Sequence, residues 1–210
     1  MNVQSELKES AIPAELISRL QYRDVTAADA EKLVGFKKAG WVVPYCDPDG
    51  KPYQHNGRDF FRLKPAKSNE AKYLSPAGAG CRLYFSPLLP KDTIQGNKPI
   101  SITEGEKKAD SLNAHGFPCI GLAGVDAWLD KRSGDSKPLP EWQSVNLKNR
   151  QIFIVYDSDV AAKDSVRLAL QTFCTWLIDS KEARPYVVLL PCEPDGEKNG
   201  ADDFIGRHGV

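Results

Sequence analysis

The second half of the chain alternates short apolar runs with segments of helical periodicity. Residues 152–156 are continuously apolar, bounded by polar residues and too short for a helix, as expected for a parallel strand buried on both faces. Strands are also predicted over 99–103, 118–122 and 186–190. Helices are predicted over 106–115, which Gly116 ends, and around the three- and four-residue spacing of Val166, Ala169, Leu170, Phe173, Trp176 and Leu177. Strands that alternate with helices predict an α/β fold with a parallel sheet flanked by helices.

The first half of the chain has a different pattern. Apolar residues at helical spacing follow Pro13, which suits the first turn of an entry helix. From Gly40 to about Phe85, short β-rich runs such as WVVPY and FFRL are separated by the turn sequence DPDG. We therefore expect a small α+β lobe over residues 1–97 and an α/β domain over residues 98–210.

Residues 125–150 form a long connection for which we predict irregular structure. They contain Trp128 and Trp142. These tryptophans are either core anchors, the commoner role, or surfaces on which nucleic-acid bases stack.

Charge is balanced overall and biased locally. Twenty-eight basic residues match twenty-eight acidic ones, so net charge gives no argument for a nucleic-acid partner. Between residues 51 and 98, however, nine lysines and arginines face three acidic residues. This bias indicates either a nucleic-acid-binding lobe or a solvated surface that keeps the protein soluble.

Cysteine spacing and hydropathy narrow the class of protein. The five cysteines lie far apart and form no zinc-ligand pattern, which favours free thiols in a reducing compartment. No apolar run approaches the roughly 20 residues of a membrane span. We expect a cytoplasmic protein.

Acidic residues end two of the predicted strands. Asp157 and Asp159 follow the buried strand, and in an extended chain residues two apart project to the same side. Glu104 ends another strand and precedes Gly105, which allows a sharp turn. Because ligands bind beyond the carboxyl ends of strands in open α/β sheets, these carboxylates can converge on one site. Such an open acidic cluster suits Mg²⁺.

Asp159 and the charged residues that follow Gly105 also have simpler interpretations. Asp159 can cap the following helix, and Glu106 in a first helical turn is expected from the helix dipole more than from a metal role. Lys107 and Lys108 are expected in solvent, where one of them could reach a phosphate. A P-loop nucleotide hydrolase is excluded because no G-x-x-x-x-G-K-[ST] occurs.

Three segments together resemble the Toprim domain, a fold shared by bacterial-type primases, topoisomerases and some nucleases. They are ITEGEKKADSL (102–112), IVYDSD (154–159) and ADDFI (201–205). The resemblance implies that Glu104, Asp157, Asp159 and Asp202 bind Mg²⁺ or Mn²⁺, the first three being catalytic. The chain departs from the primase pattern at Gly200, where primases often carry a second aspartate.

The first half is similar to the basic lobe that precedes the Toprim domain in bacterial-type, plasmid and phage primases. The similarity rests on DPDGKPY (47–53), AKYLSP (71–76) and RLYF (82–85). It implies template or nucleotide contacts. The residues expected to bind nucleic acid or nucleotide are Arg58, Arg62, Lys72, Tyr73, Lys107 and Lys108.

The resemblance implies a metal-dependent nucleotidyltransferase that synthesises primers in plasmid or phage replication. Its expected partners are single-stranded DNA, nucleoside triphosphates and a replicative helicase. The chain would then be a catalytic core, either a fragment or a partner-dependent protein, since neither a zinc-ribbon nor a helicase segment is recognised. The same acidic cluster suits a Toprim nuclease, and a non-catalytic module that binds nucleic acid or a helicase is the third hypothesis.

Overall fold

The computed structural model describes residues 2–67, 71–132, 134–161, 163–193, 196 and 198–209. Among these residues the helices are α1 (Val3–Glu9), α2 (Ala14–Leu20), α3 (Ala27–Val34), α4 (Asp92–Gln95), α5 (Glu106–Ala114), α6 (Asp164–Lys181) and α7 (Ala201–His208). Short 3₁₀ helices cover Pro140–Ser144 and Ser158–Ala161. The strands are β1 (Arg23–Val25), β2 (Gly40–Pro44), β3 (Gln54–His55), β4 (Arg58–Asp59), β5 (Phe61–Pro65), β6 (Tyr84–Phe85), β7 (Ile100–Glu104), β8 (Cys119–Leu122), β9 (Leu129–Asp130), β10 (Lys137–Pro138), β11 (Gln151–Val155) and β12 (Arg184–Val188).

A five-stranded sheet organises the second half of the chain. Its strand order is β12-β11-β7-β8-β6, in which the first four strands are parallel and β6 is antiparallel to β8. The predicted α/β fold with a parallel sheet flanked by helices is confirmed. β12 forms one edge of the sheet, where Tyr186 and Val187 are 45% and 42% exposed.

Helices cover the sheet on both faces. Because alternate residues of a strand face opposite sides, a strand can contribute to two core clusters. Ile102, Ile152 and Ile154 pack in a core cluster with Phe173 of α6. Val155 packs on the other side, in a cluster that includes residues of α5 and α7. The central strand β11 is therefore covered on both faces, which explains the continuous apolar run that predicts it.

The first half of the chain forms an antiparallel sheet of order β1-β2-β5. The predicted turn after β2 is present, since the Gly50 N–H donates to the Asp47 carbonyl at 2.9 Å. Trp41 and Tyr45 pack in the same core cluster as Leu112 of α5. The five-stranded sheet also takes β6 from before residue 98. The division into domains at residue 98 stays a prediction.

The described part of residues 125–150 packs over the α6 side of the sheet. Trp128 and Trp142 are 3% and 1% exposed. Their rings lie 5.0 Å and 5.8 Å from that of Phe173, measured between centroids, and Trp142 donates to the Trp128 carbonyl at 3.1 Å. Both tryptophans are therefore core anchors, the commoner of the two roles considered.

A buried carboxylate on α5 joins the two halves of the chain. Asp110 is fully buried, and its oxygens accept hydrogen bonds from the Tyr22 hydroxyl at 2.7 Å and the Tyr84 hydroxyl at 2.9 Å. Burial raises the pKa of Asp110 to about 7, although hydroxyl groups of Ser86, Tyr22 and Tyr84 act to lower it. Folding therefore favours the protonated form of Asp110, which predominates in the folded state below about pH 7.

None of the described helices combines the length and the apolar composition that crossing a bilayer requires. All five cysteines are free thiols, as the sequence predicts.

Replacing Arg150 with methionine should destabilise the fold by about 3 kcal/mol or more, because buried carbonyl groups would lose their donor. Arg150 is 1% exposed, and its guanidinium donates at 2.6 to 3.4 Å to four backbone carbonyls. These carbonyls belong to Thr93, Ile94, Lys98 and Asn146. Urea unfolding measures the change. The control is Lys148→Met, whose side chain is 65% exposed and should matter by less than about 0.5 kcal/mol. Equal unfolding midpoints for the two variants would contradict this role of Arg150.

The Asp110 carboxyl should make stability fall as pH rises. Its folded pKa of about 7 exceeds the unfolded value near 4, so the folded state holds more protons between these pH values. The stability that this group contributes is fully present below about pH 4 and is lost as pH rises through about 7, by roughly 4 kcal/mol in total. Urea unfolding of the wild type and Asp110→Asn at pH 4.5 and 7.5 isolates the effect. The free energy of unfolding of the variant should rise relative to that of the wild type at the higher pH. A difference in unfolding free energy that does not depend on pH would refute the assignment.

Candidate active site

The carboxyl ends of β7 and β11 lie side by side, since Thr103 pairs with Val155 in parallel register. Glu104 is the last residue of β7, and Asp157 comes two residues after β11 ends. Gly105 has a φ of +100°, which turns the chain directly into α5. Both acidic residues therefore lie at the edge of the sheet where open α/β folds bind ligands.

An open pocket of about 580 Å³ lies at this edge. Three carboxylates that the sequence predicts as metal ligands line it together: Glu104, Asp157 and Asp202. Cationic side chains also line it: Arg62, Lys72, Lys107, Lys108 and Lys198. Such a dense mixture of charges can hold a cation and an anionic group next to each other.

Asp157 is the most enclosed of these carboxylates, with a side chain that is 3% exposed. The Lys108 ammonium donates to its Oδ1. The Lys198 ammonium lies 2.6 Å from its Oδ2. Both oxygens are therefore paired with lysines, as a buried charge requires.

Asp159 is not among the described residues that line the pocket. The chain leaves β11 at Val155 and enters a 3₁₀ helix at Ser158, so the two-residue alternation of an extended chain does not apply to Asp159. Its Oδ2 lies 2.7 Å from the Lys163 ammonium and 3.2 Å from that of Lys198. Burial acts to raise the pKa of Asp159, but these two lysines lower it below its ordinary value. Since Lys198 contacts Asp157 as well, one ammonium joins both aspartates of the pair.

The N-terminus of α7 brings Asp202 into the pocket. Asp202 is 6% exposed, and its Oδ1 has no hydrogen-bond partner among the described residues. A Cβ atom on Gly200 would lie 2.9 Å from this oxygen, 3.2 Å from Asp157 Oδ1 and 2.8 Å from Lys108 Cε. Glycine at position 200 therefore leaves the space in which these three side chains approach one another.

The donor types fit a hard divalent cation. Carboxylate oxygens are the ligands that Mg²⁺ prefers, and the buried, unpartnered Asp202 Oδ1 lacks a positive or donor group. Within the part of the chain that the structure describes, the Glu104 side chain has neither a hydrogen bond nor an ion pair. In this arrangement, with lysines on Asp157, no three acidic, histidine or cysteine side chains among the described residues stand close enough to hold an ion.

Arg62 lines the pocket from the first half of the chain and is held by Glu106. Its Nη1 donates to Glu106 Oε1, which also accepts from the Tyr45 hydroxyl at 2.6 Å. Burial opposes the charge of Arg62, but Glu106 and Tyr45 raise its pKa above the ordinary value. The guanidinium also lies 4.9 Å from the centroid of the Tyr73 ring. Its Nε has no hydrogen-bond partner among the described residues, so the guanidinium has donor capacity that these residues do not use.

A second group of cations surrounds Glu6 of α1. The ammonium groups of Lys64 and Lys107 pair with Glu6 Oε2, the latter at 3.5 Å, and Trp41 donates to Oε1 at 3.0 Å. Lys72 stands near these lysines. Burial lowers the pKa of Lys72, and the nearby ammonium groups of Lys108, Lys64 and Lys107 lower it further. An anionic ligand would relieve this repulsion.

The structure brings together five of the six residues expected to bind nucleic acid or nucleotide: Arg62, Lys72, Tyr73, Lys107 and Lys108. Arg58 lies elsewhere, on β4, where its Nη1 donates to the Lys32 carbonyl at 3.3 Å. Lys107 and Lys108 are not fully in solvent, since their side chains are 20% and 19% exposed. Glu106 does lie in the first turn of α5, but it is buried in an ion pair and does more than complement the helix dipole.

Some residues of the site are hard to recognise in the sequence. Lys198 lies three positions before the ADDFI segment, and this proximity is the one signal that indicates it. Glu6 and Tyr45 act on the pocket from elements far away in sequence, and local patterns do not indicate their contacts.

The fold matches that of primase cores among solved structures. The zinc-binding and RNA polymerase domains of the Aquifex aeolicus primase give a TM-score of 0.64 at 16% identity, covering 98% of this chain and 52% of that one. The DnaG catalytic core gives 0.59 at 16% identity, and a DNA primase domain from Pseudomonas aeruginosa gives 0.62 at 14%. Each of these two matches covers 99% of this chain and 68% of the primase chain. The chain thus has the fold of bacterial primase catalytic cores, which confirms the resemblance predicted from its motifs.

The chain belongs to the family described as a domain of unknown function, DUF3854, whose model matches residues 92–210. An uncharacterized protein of Picosynechococcus sp. (strain ATCC 27264 / PCC 7002 / PR-6) is 31% identical over 122 residues, which cover 53% of this chain and 12% of that protein. The chain therefore spans about an eighth of this relative and about half of the Aquifex structure.

Replacing Glu106 with glutamine should destabilise the protein by about 3 to 5 kcal/mol, because the Arg62 charge would stay buried without a counter-charge. The double variant Glu106→Gln/Arg62→Gln should recover most of this loss, since it removes both charges. Urea unfolding of the wild type, the two single variants and the double variant gives the coupling energy. Strictly additive losses would contradict the ion pair.

Proposed function

We propose that the chain is the catalytic part of a primase-type nucleotidyltransferase, which synthesises primers on single-stranded DNA from nucleoside triphosphates. The observation that carries the proposal is that Glu104, Asp157 and Asp202 share one pocket with Arg62 and Lys72, on a primase-core fold. The Toprim and primase-lobe motifs of the sequence support the same activity. They also support a plasmid or phage replicon and a replicative helicase as partner, which belong to the proposal.

Primer synthesis needs a site that positions phosphates and neutralises charge on oxygen. In the proposal, Glu104, Asp157 and Asp202 would hold Mg²⁺ or Mn²⁺. Asp159 would lie beside them, since the Lys198 ammonium contacts both Asp157 and Asp159. When bound, the ion would supply positive charge to the phosphoryl oxygens and activate the attacking 3′-hydroxyl.

The cations of the pocket would bind the anionic substrate. Arg62 is pre-oriented by Glu106 and Tyr45, so it loses little freedom when its uncommitted N–H groups bind a phosphate. Lys72, whose pKa is lowered by burial and by neighbouring lysines, gains from the approach of an anion. The Tyr73 ring would stabilise the Arg62 guanidinium through a cation–π contact. The DNA template would follow the basic lobe, and its binding would weaken with salt.

The test is primer synthesis on single-stranded DNA with labelled nucleotides and Mg²⁺ or Mn²⁺. The wild type should give short labelled products, which Glu104→Gln and Asp157→Asn should reduce at least about a hundredfold because each removes a charged metal ligand. Asp179→Asn alters an exposed carboxylate on α6 and should leave the yield unchanged.

Other outcomes would overturn the proposal. Cleavage of the template that depends on metal and on Glu104 would make the protein a nuclease. If folded protein neither extends nor cuts the template, a role in binding nucleic acid or a helicase replaces the enzymatic one.

A further inference from the structure

Lys108 is an unusual component of the pocket because it points at the carboxylate that is predicted to hold metal. It lies in the first turn of α5, two residues after Glu106, and its ammonium reaches across the strand ends to Asp157 Oδ1. Its side chain is 19% exposed and that of Asp157 is 3% exposed. The pair is thus partly shielded from water, and the Coulomb attraction between two charges is stronger in such surroundings than on the surface.

The position of Lys108 is fixed by packing as well as by charge. Its Cε lies 2.8 Å from the point where a Cβ on Gly200 would be, so the lysine fills space that the glycine leaves open. Lys198 differs, because its side chain is 48% exposed and bridges Asp157 Oδ2 and Asp159 Oδ2 from the solvent side. An incoming ion can displace Lys198 into water at small cost, whereas Lys108 would leave Asp157 by vacating a packed position.

The other two carboxylates that line the pocket differ from Asp157 in this respect. Among the described residues, the side chains of Glu104 and Asp202 have neither a hydrogen bond nor an ion pair, and Asp202 Oδ1 is buried. Lysine pairing therefore divides the acidic cluster. One oxygen of Asp157 belongs to Lys108, and the other oxygen faces the half-exposed Lys198.

We propose that the Lys108 ammonium takes the place of a second metal ion at Asp157, so that the pocket binds a single divalent cation. In two-metal sites both ions are held close together by shared carboxylates. Here Asp157 can offer Oδ2 to an ion while its Oδ1 stays with the resident ammonium. The inference rests on the proposed metal-dependent function and specifies it: Glu104 then serves the same ion as Asp157 and Asp202.

The test counts bound Mn²⁺ on the full chain, from the electron paramagnetic resonance signal of free Mn²⁺ during titration. The wild type should bind one ion, and Lys108→Met should bind two, because Asp157 Oδ1 becomes free. Lys107→Met is the matched control, since Lys107 lines the same pocket but pairs with Glu6 at 3.5 Å, and it should bind one ion.

Two ions on the wild type, or one ion on a folded Lys108→Met chain, would overturn the inference while leaving a metal-dependent function in place. No bound ion on the folded wild type or on either folded variant would overturn the proposed function, and this inference with it. Two ions on Lys107→Met would show that any loss of positive charge has the same effect, which also overturns the specific role of Lys108.

A second measurement serves if Lys108→Met does not fold. The ¹⁵N signal of the Lys108 ammonium, assigned with Lys108→Arg, should persist when the wild type is saturated with Mg²⁺, because the ammonium keeps its hydrogen bond to Asp157. Loss of this signal on saturation would show that the ion displaces Lys108, and would overturn the inference.

Discussion

Two buried carboxylates, Glu106 and Asp110, lie one turn apart on α5, and the partners described for both come from the first half of the chain. Glu106 pairs with Arg62 and Tyr45, whereas Asp110 accepts hydrogen bonds from Tyr22 and Tyr84. A buried charge without its counter-charge, or a buried polar group without its hydrogen bonds, is destabilising, so Glu106 and Asp110 both depend on the packing of the first half against α5. The same helix starts at the candidate site. Correct docking of the two halves and correct assembly of the pocket are therefore one event.

This arrangement has a consequence for the charges of the pocket. Glu106 and Glu6 each hold cations of the pocket region: Glu106 pairs with Arg62, and Glu6 pairs with Lys64 and Lys107. Among the described residues, the side chains of Glu104 and Asp202 have no ion pair of this kind. The acidic residues thus divide into those that position cations and those that face the pocket. Neutral net charge over the whole chain gives no sign of this separation.

Sequence patterns predict the parallel sheet and the strand ends that carry Glu104 and Asp157. The signal is clearest for β11, where burial on both faces leaves a continuous apolar run. They also predict a helix that begins near Glu106. They do not predict that Glu106 is buried, since an acidic residue in a first turn is equally suited to solvent. The pairing of Lys108 with Asp157 depends on two elements 49 residues apart, and periodicity carries no information about which lysine meets which carboxylate. Asp159 departs from the period-two expectation because the strand ends before it.

The contact between Gly200 and Lys108 means that the residue type at either position limits the residue types that the other position can accept. A Cβ atom at position 200 would lie 2.8 Å from Lys108 Cε and 2.9 Å from Asp202 Oδ1, so these side chains would have to shift, and it would make a tight contact of 3.2 Å with Asp157 Oδ1. A larger residue at position 200 therefore requires the end of the Lys108 side chain to move or to be shorter. A shorter residue at position 108, in turn, leaves a gap beside Asp157 that an aspartate at position 200 could fill.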